Sequence, residues 1–114
     1  MTPRDRDKLS AIAESARKIG DYVAQAGPAW REDDMAVDAI AKRLEQIGEL
    51  AKRLSLDLLE RMPDVDWKGV KAIREILMHD YEDVQIDVLE DVLENELPGL
   101  LRAIESVLLD RKAP

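Results

Sequence analysis

The feature that most constrains this chain is a run of small and apolar residues, Val37, Ile40, Ala41, Leu44, Ile47, Gly48, Ala51, Leu54 and Leu58, spaced by threes and fours. At 3.6 residues per turn, that spacing gathers them on one face of a helix; a strand, with a side-chain period of two, would scatter them over both faces. The stripe predicts a helix from Asp33 or Asp34 to Glu60, with the two aspartates suited to the N-cap and first turn. The same period recurs on either side of it. Leu9, Ile12, Ala13, Ala16, Ile19 and Val23 predict a helix over about Asp5 to Gln25, ended by Gly27-Pro28. Glycine readily closes a helix and proline cannot continue its hydrogen-bond ladder. Beyond the break at Met62-Pro63-Asp64-Val65-Asp66, Asp66 is placed to cap a helix from about Trp67 to Met78, with Val70, Ile73, Ile76 and Leu77 available for burial. A further helix spans roughly Val84 to Asn95, and Pro98 either kinks it or opens a last helix through Leu101, Ile104, Val107 and Leu108. Nothing alternates like a strand. The expected fold is all-α, a four- to five-helix bundle forming one domain over residues 1–114.

With no Phe, two Trp and two Tyr, the core must be filled by Leu, Ile, Val and Ala. The absence of cysteine excludes disulfides, thiolate metal sites and cysteine nucleophiles. A single histidine argues against a transition-metal site. Glycine-rich phosphate loops, HExxH and EF-hand loops are missing too, so no cofactor is expected. No window approaches the roughly 20 apolar residues of a membrane span, and Met1–Lys8 is charged rather than signal-like. A cytoplasmic location with no membrane partner is the expectation.

The net charge of −8 argues against a protein that coats nucleic acid through its global field. The charge is unevenly placed, however. From Lys52 to Arg74 six basic residues face four acidic ones, whereas Glu75 to Glu96 holds nine acidic residues and no Lys or Arg. This pattern reads either as a solvated helix face or as a basic patch beside an acidic helix suited to a basic partner. Gly48 is open in the same way. An interior helical glycine costs roughly 1 kcal/mol against alanine, and is either tolerated or marks the close approach of another helix.

The residues best suited to chemistry lie in Ile73-Arg74-Glu75-Ile76-Leu77-Met78-His79-Asp80-Tyr81. Five residues of ideal helix turn by about 140°, so Arg74 and His79 converge only if the helix ends at or just before His79. Such a set suits metal-free phosphodiester cleavage. A guanidinium holds the phosphate and stabilises charge building there, an imidazole exchanges protons near neutral pH, and RNA supplies its own 2′-OH nucleophile.

Several pieces, in order, carry a family resemblance: Ile47-Gly48-Glu49 and Ala51-Lys52-Arg53-Leu54, then Pro63-Asp64-Val65-Asp66-Trp67, Arg74-x4-His79-x-Tyr81, and Leu97-Pro98-Gly99-Leu100. From about Val37 to Leu109 the chain resembles the HepT-like ribonuclease toxins of the HEPN superfamily. The resemblance implies a helical homodimer in which both copies of the Arg74/His79 pair line a shared cleft. It implies a toxin–antitoxin system in which the toxin is a metal-independent endoribonuclease acting on cellular RNA. It also implies an MNT-type nucleotidyltransferase antitoxin that neutralises the toxin by attaching AMP to Tyr81, adding bulk and negative charge where substrate phosphate must bind.

One position departs from the family. Glu75 stands where an Asn or another polar residue is common, and a carboxylate there is expected either to pair with Arg74 and weaken activity or to point away. The competing reading is a catalytically inactive helical partner of the nucleotidyltransferase, with Arg74 and His79 structural. A nucleotide-binding domain feeding a separate enzyme has less behind it, for want of a phosphate loop. Trp67 is expected to be a core or interface anchor with its indole N–H satisfied locally. Trp30 fits the surface, a dimer contact or an antitoxin anchor equally.

Overall fold

Helix α1, Pro3–Ala26, starts where Thr2 Oγ1 accepts the Asp5 N–H at 3.1 Å and Pro3 fills the first turn. The structure, a computed structural model, describes residues 1–79 and 86–109. Helix α1 ends as expected at Gly27, whose φ of 81° and N–H bond to the Val23 carbonyl (2.9 Å) close the last turn. A short 3-10 turn, Trp30–Glu32, leads to Asp33. The Asp33 carboxylate accepts the N–H groups of Met35 and Ala36, and α2, Asp34–Lys52, begins there.

The stripe predicted one helix to Glu60, and this is corrected. Helix α2 stops at Lys52 and a separate α3 runs Leu56–Arg61. Ser55 makes the break. Its Oγ accepts the Leu58 N–H at 3.2 Å, while its own N–H (3.0 Å) and hydroxyl donate to the carboxylate of Asp5. Asp5 is only 3% exposed, so this is a buried anchor between the start of α1 and the end of α2. Leu54 and Leu58 are nonetheless both buried. The apolar period reported burial correctly and backbone continuity wrongly.

Helix α4, Trp67–His79, opens with the expected cap, Asp66 accepting the Gly69 N–H at 3.1 Å. The rest is α5, Ile86–Asp91, a π-helical turn, Val92–Glu96, and α6, Leu97–Leu109. Val84 and Gln85, included in the predicted fourth helix, lie outside the described residues. Pro98 stands in the first turn of α6, as expected of a proline opening the last helix, while the backbone stays helical through both joints. The Leu97 N–H reaches back five residues to the Val92 carbonyl. A wide turn of that kind makes room for a proline that has no N–H to offer its own ladder. Counted as one rod, this segment gives five helices among the described residues, and no strand.

Helix α2 lies at the centre, packed on α1 along one side and α4 along another, with α6 returning over α1. Asp5 meeting Ser55 makes α1 and α2 antiparallel. Arg6 donating to the Leu108 carbonyl (2.9 Å) and Arg17 pairing with Glu105 (3.0 Å) fasten α6 to α1. The largest fully buried side chains are Leu9, Ile12, Ile19, Ile40, Leu44, Ile47, Leu89 and Ile104, each stabilising the fold by about 1.5–3 kcal/mol. Trp67 is buried as expected, but its indole N–H has no partner among the described residues. Ring burial at the head of α4 outweighs that unmade bond, which costs about 1–3 kcal/mol. No described helix is long and apolar enough to cross a membrane.

Candidate active site on helices α2 and α4

Helix α4 crosses α2 at Gly48. A Cβ at that position would lie 3.3 Å from Arg74 Cβ, Arg74 N and the Val70 carbonyl oxygen, so the glycine marks a close approach. The consequence falls on Arg74. With the helices this near, its Nε sits 3.3 Å from Oε2 of Glu49, the residue after the glycine. The other Glu49 oxygen takes Arg53 at 3.4 Å. At the end of α2, Lys52 Nζ lies 3.6 Å from Oε1 of Glu75.

This arrangement decides how Glu75 behaves. Of the two expectations for Glu75, pairing with Arg74 is not what the side chains show. Glu75 pairs with Lys52, and the carboxylate on Arg74 is Glu49. The sequence assigned no role to Glu49 or Lys52; their place just after the crossing glycine, in the pieces Ile47-Gly48-Glu49 and Ala51-Lys52-Arg53-Leu54, was the available signal. Arg74 keeps a third of its side chain exposed. Its ion pair uses Nε, which leaves the two terminal nitrogens uncommitted by that contact; they are the edge that grips a phosphate bidentately.

His79 is the last described residue of α4, five positions after Arg74. Its side chain, like Asp80 and Tyr81 altogether, lies outside the described residues. Three cations and two carboxylates thus gather on α2 and α4. The other end of the charge pattern is acidic. The Glu96 carboxyl is held above its ordinary range by lost hydration, then by the like charges of Asp91 and Asp66.

Two surface depressions deserve separation. One of about 410 Å³ between α1 and α2 includes Arg43, Gln46 and Glu49, and so borders the Arg74 cluster. An apolar groove of about 390 Å³, walled by Gly20, Trp30, Leu93, Leu97 and Pro98, touches neither Arg74 nor Glu49.

A family model described as ribonuclease HepT-like matches residues 12–107. The chain belongs to the HepT-like family. One relative, carrying an RNase name in Methanocaldococcus jannaschii, is 32% identical over 79 residues, covering 69% of this chain and 65% of its own length. A second from that organism, named likewise, is 30% identical over 109 residues, 94% of this chain and the whole of the relative. A Thermococcus cleftensis protein assigned as ribonuclease HepT is 26% identical over 108 residues, 94% of this chain and 98% of its own. The chain therefore spans just under two thirds of the first relative and all of the second. No solved structure matches. In this HepT-like chain, Glu49, Lys52 and Arg74 all fall within the matched stretch.

Proposed function

We propose that the protein is a metal-independent endoribonuclease, the toxin of a toxin–antitoxin pair, in which Arg74 and His79 are the catalytic residues. The observation that carries this is Arg74 itself. It is a partly exposed guanidinium steered by Glu49 through Nε, in a chain whose HepT-like family and relatives carry the ribonuclease name. In this reading the terminal nitrogens of Arg74 bind the scissile phosphate and stabilise the charge that builds on its oxygens. The imidazole of His79 moves the proton, taking it from the 2′-OH or giving it to the leaving 5′-oxygen. The products are a 2′,3′-cyclic phosphate and a free 5′-hydroxyl. The substrate is cellular RNA, held where two copies of the chain bring their Arg74/His79 pairs to one cleft.

The test is cleavage of total RNA by purified protein in excess chelator. Wild type should cut and leave cyclic phosphate ends. Arg74→Ala and His79→Ala should each cut at least about a hundredfold more slowly, the scale of losing charge stabilisation or a general acid–base, with unchanged melting. Wild type that leaves RNA intact in chelator would sink the reading.

Regulation follows the same residues. The partner is an MNT-type nucleotidyltransferase that attaches AMP to Tyr81, two positions past His79, which places negative charge beside the phosphate site. Protein coexpressed with such an enzyme should gain mass in AMP units on Tyr81; an unmodified tyrosine in a silenced toxin would refute this. The engagement of Arg74 by Glu49 favours one rival, an inactive helical partner of the nucleotidyltransferase. In that case neither the free nor the complexed protein cuts RNA, and substitution of Arg74 lowers the melting temperature instead.

A further inference from the structure

Glu75 follows Arg74 directly along α4. A second carboxylate beside the guanidinium opposes a polyanionic substrate. The structure shows what meets it: Lys52, in the last turn of α2, with Nζ 3.6 Å from Glu75 Oε1. A helix C-terminus also favours a cation there. Three residues earlier on α2, Glu49 takes the Nε of Arg74. One turn of α2 thus sorts two adjacent, opposite charges of α4, the arginine to Glu49 and the glutamate to Lys52.

We propose that Lys52 is a positioning residue for RNA binding: it draws Glu75 aside and cancels its charge, so that Arg74 meets phosphate with no uncompensated neighbour. This rests on the reading of Arg74 given above. The pair is too exposed to matter much for folding, with 34% of the lysine and 66% of the glutamate side chain accessible. For a bound phosphate the account differs. A bare carboxylate acts over the Debye length of about 8 Å at physiological salt, and its repulsion is felt by every phosphate within that reach.

The experiment measures binding of a cleavage-resistant 2′-O-methyl RNA oligonucleotide, and KM and kcat on ordinary RNA. The proteins are wild type, Lys52→Met, Glu75→Gln and the double variant. Lys52→Met should weaken binding roughly fivefold, the upper scale for one exposed charge pair. KM should rise with it while kcat stays put. Glu75→Gln should bind at least as tightly as wild type. In the double variant no carboxylate is left for a lysine to cancel, so loss of Lys52 should cost nothing and binding should match that of Glu75→Gln alone.

Two results overturn the proposal. Lys52→Met binds as wild type does, or it costs the same factor with and without Glu75, which would make the lysine a direct RNA contact. Failure of the underlying site looks different: Arg74→Ala would bind and cleave undiminished, whatever Lys52 does. Melting curves matched to wild type for all three variants confine the effect to RNA.

Discussion

A methyl group on Gly48 would press on the backbone and Cβ of Arg74 and on the Val70 carbonyl, all at 3.3 Å. Replacing the glycine by alanine improves helix propensity by up to about 1 kcal/mol. Against that stands overpacking of a close helix crossing, typically about 1–3 kcal/mol. The neighbours that must yield are mostly backbone, so the loss should win. Gly48→Ala is expected to lower stability by about 1 kcal/mol in urea denaturation and to slow cleavage further by shifting Arg74 off Glu49. An alanine variant as stable and as active as wild type would show that the crossing tolerates more space than its geometry implies. At this scale the sequence marked Arg74 by its place in a motif. Only the crossing revealed Glu49, because its partner lies 25 positions away along the chain.

The break between α2 and α3 carries a pH signature. The Asp5 carboxyl is held below its ordinary range, first by the hydroxyl of Ser55, then by the Ser55 N–H and Thr2, against burial that pushes it up. A depressed folded-state value means the ionised carboxylate stabilises the native state above the unfolded value near 3.8. That contribution is lost as pH falls through the lower, folded-state value. Asp5→Asn should therefore reduce the melting temperature at neutral pH, and the gap to wild type should narrow on acidification below about pH 4. A gap that is constant with pH would mean the junction is held by shape and hydrogen bonding rather than by the charge. The junction also explains why the long helix was misread. A serine supplies a cap whose strength depends on a buried acceptor 50 positions away. Pro98 makes the complementary point: its lack of an N–H is a local fact, and its accommodation by a π turn is a packing one.

The whole chain carries a net charge of −8, yet Lys52, Arg53 and Arg74 form a cationic cluster where α2 and α4 cross. If two copies share an RNA cleft, that cluster must lie close to its counterpart. Sedimentation of the purified chain should then give a dimer of twice 12.9 kDa that survives the Arg74→Ala substitution, and a monomer at working concentration would remove the shared cleft. The sequence by itself determined the fold class and the largest of the buried side chains. Helical period and apolar character are local properties, and Leu9 through Ile104 obeyed them. It also determined the family, through short motifs whose order along the chain is visible without folding. The tertiary structure alone decided where α2 ends, which carboxylate holds Arg74, and that Lys52 rather than Arg74 receives Glu75. Each of these depends on which of several nearby charges or caps lies within about 4 Å once helices have packed, and no periodicity along a chain encodes that distance.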